Sequence, residues 1–225
     1  MQGKFITLEG PEGSGKSTHS RLLAERLRQC GLTVVQTREP GGTRLGEAIR
    51  QLLQYNGCGE APQPAAEVLL FCASRAQLTA QVIIPALQRG EWVICDRFTD
   101  STLAYQGYGR GYSLSALRQL NDFTTGGLQP NLTLLFDVDT KTSLHRVRSR
   151  KTKLPAGAKD RFESEPSEFH RKIRDGFIAL AAAEPERFKV LDTKKPLAQT
   201  QEMVWQIVAP LVDNTRGAVG ECNAR

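Results

Sequence analysis

The sequence predicts an α/β fold: a five-stranded parallel sheet with helices on both faces and a short mobile lid. Three observations carry this. Short apolar or β-branched runs alternate with helical stripes along the chain, the pattern of a sheet covered on both sides. A glycine-rich loop joins the first strand-like run to the first helical one. No linker or internal repeat divides the 225 residues, a length that fits one domain.

The elements follow in order. Residues 4–9 are apolar and end in glycine, as a buried strand does. Residues 16–29 form a helix, with Leu23, Leu27 and Cys30 on one face and Gly31 as its stop. Residues 33–37 are β-branched and give strand two. Residues 43–54 carry the helical stripe Leu45, Ile49, Leu52 and Leu53, and 55–64 are a loop rich in Gly and Pro. Residues 65–89 read as one long helix, kinked just before Pro85. Strand three is 92–95. A short helix at 100–105 precedes a glycine-rich stretch at 106–111, and 113–123 is helical. Strand four is 132–136, with a helix at 140–150 after it. Residues 151–165 are the mobile lid. Residues 167–183 are helical, 188–191 form strand five, and 197–212 form a final helix with Val204, Ile207, Val208 and Leu211 on one face. The domain thus spans 1–212, and the polar tail 213–225 is expected to be frayed.

Composition narrows the classes. Forty per cent of residues are hydrophobic and 24% charged, which describes a globular chain rather than a disordered or fibrous one. Thirty Lys and Arg against 24 Asp and Glu give a net charge of +6, which permits an anionic partner without choosing one. The five cysteines form no CxxC pair, and Cys72 and Cys95 sit in apolar contexts, so a reducing cytoplasm is expected. The longest apolar stretches, such as 82–87, fall far short of the ~18 residues of a membrane helix, and no signal peptide is visible. His19, His145 and His170 lack metal-ligand spacing and read as surface.

Gly10-Pro11-Glu12-Gly13-Ser14-Gly15-Lys16-Ser17 fits G-x-x-x-x-G-K-[ST] in full, between a strand and a helix. Backbone N–H groups of such a loop cradle phosphate oxygens at a helix N-terminus. Lys16 reaches the β- and γ-phosphates, and the Ser17 hydroxyl ligates Mg²⁺. A chance glycine-rich turn is the bland alternative, and motif and context together argue against it. No hydrophobic strand ends in Asp-Glu, and no Asn-Lys-x-Asp guanine reader is present. A small phosphotransferase leads over a motor or GTPase.

Such an enzyme must hold two anionic substrates together, which suits arginine. Arg38 closes strand two, Arg97 follows strand three in Asp96-Arg97-Phe98, and Arg75 lies on the long helix. Glu9, Arg38 and Asp96-Arg97 all fall at strand C-termini, where ligands gather in open parallel sheets. The competing reading is surface pairing of Arg38 with Glu39 and of Arg97 with Asp96. Phe71 and Arg75 share a helix face. They suit a base, stacked on one and bonded at its edge by the other, but Phe71 among Val68, Leu69 and Leu70 equally suits a core. Between 146 and 161 lie Arg146, Arg148, Arg150, Lys151, Lys153, Lys159 and Arg161, opposed only by Asp160. A flap closing over phosphates, a nucleic-acid patch and a solvated loop all fit this run. The patch ranks lower because aromatic residues are not interleaved.

With these residues in view, the chain resembles the thymidylate kinases of the bacterial kind, from residue 4 to about 211. The motifs are the phosphate loop, Arg-Glu-Pro-Gly-Gly-Thr at 38–43, Asp-Arg-Phe at 96–98, Ser101 through Tyr105-Gln106-Gly107, and Asp-Arg-Phe-Glu at 160–163. The resemblance implies transfer of the ATP γ-phosphoryl group to dTMP with Mg²⁺, by a cytoplasmic homodimer packed through helices, with no membrane or nucleic-acid partner. It implies that Gly10, Gly13, Ser14, Gly15, Lys16, Ser17 and Thr18 bind ATP, with Arg146 flanking the adenine. Glu12 would contact the dTMP sugar hydroxyl or position the phosphates. Arg38 and Arg97 would hold the dTMP phosphate, Phe71 would stack on thymine, and Arg75 would bond its edge. Tyr105 would disfavour a ribose 2′-hydroxyl, Ser101 and Gln106 would lie near the base, and Asp96 would reach Mg²⁺ through water. Some members place an arginine directly after the loop acid, where this chain has Gly13. A lid arginine is then expected to neutralise the transferred phosphoryl group: Arg150 first, Arg161 second, with Arg148 also open because the lid is longer than usual. Another nucleotide kinase of the same core, directed to dUMP or UMP/CMP, is the nearest alternative. A phosphate-loop switch or DNA-associated ATPase is the different-class one.

Overall fold

The computed structural model describes residues 3–55, 59–151 and 161–220, with side chains described except at 55, 150, 151 and 214–220. Five strands form one sheet: β1 (Phe5–Glu9), β2 (Val34–Arg38), β3 (Trp92–Asp96), β4 (Leu132–Asp137) and β5 (Phe188–Asp192). Their order is β2-β3-β1-β4-β5 and every pairing is parallel. The central strands are buried on both faces because successive side chains point to opposite sides. Ile6, Leu8, Ile94, Leu134 and Phe136 meet α1 (Lys16–Gln29) and α9 (Leu197–Gly220) through Leu23, Leu27, Val204 and Val208. Phe5, Val93, Cys95 and Leu135 face the other layer. It contains α3 (Pro64–Leu78), α6 (Leu114–Thr125) and α8 (Ser167–Ala183). Thr7 and Thr133, buried on that second face, satisfy each other through hydroxyls 2.8 Å apart.

The boundaries correct the sequence reading in an informative way. Strands β2 to β5 each run one residue further than expected, and that residue is charged: Arg38, Asp96, Asp137 and Asp192. The register sets Arg38 against Asp96, and Asp96 against Leu8. The C-terminal edge is thus a row of charges prepared by the ladder itself.

The long helix begins at Pro64, at a position where a missing N–H costs nothing. It is not one regular helix. A π-helical turn at Thr79–Ile83 precedes α4 (Ile84–Gln88), so the kink expected at Pro85 is a widened turn. By length and apolar composition, Pro64–Gln88 could cross a membrane. It instead packs against α2 (Arg44–Tyr55) and α6, and carries the buried charges Glu67 and Arg75.

The glycine-rich stretch expected at 106–111 is also helical. After α5 (Thr99–Thr102), a π-helical segment runs through Leu103–Gly109. A Cβ at Gly107 would stand 2.5 Å from Leu114, so glycine there lets α6 close on this segment. Helix α7 (Thr140–Lys151) follows β4. The expected lid falls largely on residues 152–160, which lie outside the described residues. Its C-terminal stem holds a 3₁₀ turn at Phe162–Ser164. Helix α9 continues to Gly220, through residues expected to fray, as no Gly or Pro interrupts 211–216.

Candidate active site

The loop after β1 turns through glycines at positive φ: Gly10 at 137°, Gly13 at 71° and Gly15 at 96°. At Gly10 a side chain is also excluded by space, since a Cβ would lie 2.4 Å from the Phe136 carbonyl oxygen. The loop therefore presents backbone to whatever it binds. Lys16 Nζ donates to the carbonyls of Gly10 at 3.0 Å and Pro11 at 2.8 Å. Burial, and then the Arg97 guanidinium, push its pKa down to about 8. Ser17 Oγ donates to Asp96 Oδ2 at 2.5 Å, which brings together the two expected metal-side residues. Arg146 leans over the loop, bonding the Gly13 carbonyl at 3.4 Å and the Thr193 carbonyl at 2.8 Å.

Arg97 organises the centre. Its φ of 71° is left-handed, a conformation that costs a non-glycine residue roughly 1–2 kcal/mol. In return its guanidinium bonds the Gly10 carbonyl and Ser101 Oγ at 3.1 Å, Glu12 Oε1 at 2.9 Å and Tyr105 Oη at 3.0 Å. Tyr105 Oη donates to the same Glu12 oxygen at 2.5 Å. Burial works to raise the Glu12 pKa, but Arg97, Lys16 and the Tyr105 hydroxyl outweigh it, and the carboxyl is held below its usual range. Burial pushes the Tyr105 hydroxyl well above the usual phenol range. The competing reading, in which Arg97 pairs with Asp96, gives way to a pair of Arg97 with Glu12.

Arg38 pairs with Glu47 at 2.9 Å, both half-exposed, rather than with Glu39. Glu39 turns inward beside the cis Glu39–Pro40 bond and pairs with Arg75 at 2.7 Å, with both side chains buried. Arg75 also donates to Asn121 Oδ1 at 2.7 Å and to the Phe98 carbonyl at 3.1 Å. These bonds use four of its five N–H groups, leaving one on Nη1.

Two cavities meet here. One is lined by Lys16, Ser17, Thr18, Arg38, Arg50, Asp96 and Glu163 among others. The other is lined by Phe71, Arg75, Ser101, Tyr105, Gln106 and Phe162 among others. Phe71 is thus a cavity wall that also packs against the core, with the Phe162 ring beside it at 5.9 Å between centroids. Glu12, Glu39, Pro40, Gln54 and Arg97 line both cavities.

Arg50, Gln54, Phe162 and Glu163 were not expected to line the site. Arg50 and Gln54 lie on α2 among the residues of its helical stripe and face the loop cavity. Glu9 was placed at a strand end without a role. It accepts from the Phe98 N–H at 2.7 Å and from Ser101 Oγ at 2.6 Å, fully buried. Burial, and then Asp100, push its pKa up to about 8.

The lid arginines separate. The Arg150 backbone belongs to α7, and its side chain lies outside the described residues. Arg148 is exposed on the same helix. Arg161, the second candidate, is anchored instead to Glu67 at 2.6 Å and to the Leu53 carbonyl at 3.2 Å. The histidines need a correction too: His19 and His170 are buried, and only His145 is exposed. His19 stacks on Phe136 at 5.0 Å and bonds Gln201 at 2.8 Å, so it is a core residue.

Comparison with known proteins agrees with this geometry. The thymidylate kinase family profile matches residues 8–204. A thymidylate kinase of Pseudomonas fluorescens is 50% identical over 217 residues, covering 96% of this chain and all of that protein. One of Deinococcus radiodurans is 50% identical over 208 residues, covering 92% and 97%. A crystal structure of thymidylate kinase from Ehrlichia chaffeensis superimposes with a TM-score of 0.72 at 35% identity, covering 92% of this chain and 99% of that one.

Proposed function

We propose a residue-by-residue account of the reaction of this chain, which belongs to the thymidylate kinase family and transfers the γ-phosphoryl group of ATP to dTMP, giving ADP and dTDP. The observation that carries the account is the shared wall. Glu12 and Arg97 border both the loop cavity and the aromatic cavity, so donor and acceptor phosphates would meet at Arg97. Phosphoryl transfer asks little bond chemistry of side chains and much positioning and charge neutralisation.

The loop amides of Gly10, Gly13, Ser14 and Gly15, with Lys16, Ser17 and Thr18, hold the ATP phosphates, and Arg146 flanks the adenine. Arg38 and Arg97 hold the dTMP phosphate. Thymine lies against Phe71, with the remaining Arg75 N–H at its edge and Ser101 and Gln106 nearby. Glu12 Oε2 is buried with no protein partner among the described residues, an acceptor suited to the sugar hydroxyl. That favours the sugar contact over phosphate positioning for Glu12. Tyr105, fixed by Glu12 and Arg97, walls the sugar against a 2′-hydroxyl. No general base is assigned.

Ser17 Oγ and Asp96 Oδ2 offer hard oxygen donors, which suit Mg²⁺ alongside phosphate oxygens and water. Bound there, the ion would supply charge neutralisation for the phosphates. Arg150 supplies the further positive charge that Gly13 does not. A cytoplasmic setting is supported by the buried thiols of Cys72 and Cys95, and a homodimer through the helical layer by exposed Leu69 and Phe123.

The test is ADP release from ATP and Mg²⁺ with dTMP, dUMP, UMP, dCMP, dGMP or AMP, one at a time, for wild type and Arg150→Ala. Strong preference for dTMP, and a fall in kcat on the order of 10³ in the variant at saturating substrates, are expected. A different preferred acceptor overturns the base-site assignments. An unchanged kcat in Arg150→Ala removes Arg150 from the reaction.

A further inference from the structure

Behind the aromatic cavity lies a buried charge that the reaction does not use. Glu67, on α3, has no exposed surface. Gln106 Nε2 donates to its Oε1 at 2.8 Å. Arg161 and Arg110 pair with it at 2.6 and 3.3 Å. Glu67 lines neither of the two cavities, so whatever it does for substrate there it does through these partners.

The first partner is Gln106, which lines the cavity and is itself buried. A carboxylate paired with two guanidinium groups accepts hydrogen bonds and donates none. It therefore fixes the orientation of the Gln106 amide, with nitrogen toward Glu67 and the carbonyl Oε1 left for the cavity. A carbonyl there accepts from a ring N–H, as at N3 of thymine, and repels a ring nitrogen lone pair, as at N3 of cytosine. The second partner is Arg161, whose backbone N–H bonds the Gln54 carbonyl at 3.0 Å and whose neighbour Phe162 lines the cavity beside Phe71. One carboxylate thus braces both a polar edge and an aromatic wall of the cavity.

We propose that Glu67 is a positioning residue for acceptor choice, locking Gln106 to read a pyrimidine N3–H and anchoring the lid stem that carries Phe162. This rests on the reading of Gln106 as a base-facing residue. An amide at position 67 can donate as well as accept, so Glu67→Gln frees Gln106 to turn its nitrogen outward. Glu67→Asp keeps the charge for both arginines but withdraws it from Gln106 by one methylene.

The experiment measures kcat and KM for dTMP, dCMP and ATP in wild type, Glu67→Gln, Glu67→Asp and Gln106→Met, with thermal unfolding of each. In both Glu67 variants the KM for dTMP should rise about tenfold, and the dTMP-over-dCMP ratio of kcat/KM should fall at least about tenfold, with the KM for ATP within twofold of wild type. Glu67→Gln takes its carboxylate from Arg161, while Arg110 keeps Glu165 at 2.7 Å; if it does not fold, Glu67→Asp decides. A wild-type ratio in the folded Glu67 variants, with the ratio lost in Gln106→Met, overturns the role of Glu67 alone. A ratio kept in Gln106→Met overturns the reading of Gln106 beneath it. Equal rises in both KM values that track lost thermal stability would reduce Glu67 to a structural ion pair and sink the proposal.

Discussion

Glu9→Gln isolates the buried acid at the end of β1. Glu9 carries a pKa of about 8 in the folded protein against an ordinary value of 4.5. Between those values the folded protein holds a proton that the unfolded chain has released. Stability is therefore greatest below pH 4.5, declines as pH rises through the window, and levels off above about 8. The slope for one proton is at most about 1.4 kcal/mol per pH unit. From pH 5.5 to 7.0, the wild type should lose about 2 kcal/mol from this group alone. Glutamine reproduces the protonated acid: Oε1 accepts from the Phe98 N–H, and Nε2 donates to Ser101 Oγ, which also accepts from Arg97. It cannot titrate. Urea unfolding of both proteins at pH 5.5 and 7.0 gives the difference of differences, in which other titrating groups cancel. The variant should retain about 2 kcal/mol more across the interval and keep its dTMP kinase activity. Parallel pH profiles for the two proteins would show that Glu9 folds as a carboxylate and would refute the reasoning.

Two further outcomes follow. Lys16, with a pKa of about 8, gains a nearby anion when a triphosphate binds, so binding at pH 8.5 should take up a fraction of a proton and weaken as pH rises further. Calorimetric titration with ATP in two buffers of different ionisation enthalpy reads the uptake directly, and identical apparent enthalpies would rule it out. Arg75→Met leaves Glu39 buried without its partner and should cost about 3–5 kcal/mol in urea unfolding. The double variant Glu39→Gln/Arg75→Met should recover part of that loss, and a double variant no more stable than the single one would mean that Glu39 is not the charge left stranded.

The sheet was legible because its central strands are apolar on both faces, and the phosphate loop because its glycines and Lys16 sit where a strand meets a helix. Strand ends were read one residue short because an apolar pattern stops at a charge, while the ladder does not. Asp96 and Arg38 are ladder residues and cavity-lining residues at once. The competing reading of Arg38 paired with Glu39 fails because the chain leaves the strand after Arg38: Arg38 meets Glu47 across a turn while Glu39 meets Arg75 across the layer. Buried His19 and His170 were taken for surface because periodicity weighs apolar residues and passes over a histidine on the inner face of a helix.

The two cavities differ in what holds them, and this bears on which substitutions can be selective. Ser17 and Thr18 border the loop cavity alone, and Phe71, Gln106 and Phe162 the aromatic cavity alone. Glu12, Glu39, Pro40, Gln54 and Arg97 border both. Of these shared residues, Arg97 is tied to Glu12 and the loop carbonyl of Gly10, and Glu39 to Arg75 and so to α6 through Asn121. A rigid common wall would fix the separation of two phosphates, which is the geometric requirement of in-line transfer. On the proposed substrate assignments, changes in the shared wall alter both substrates together, whereas changes at Phe71, Gln106 and Phe162 act on the acceptor side, where Gln106 and Arg161 rest on Glu67.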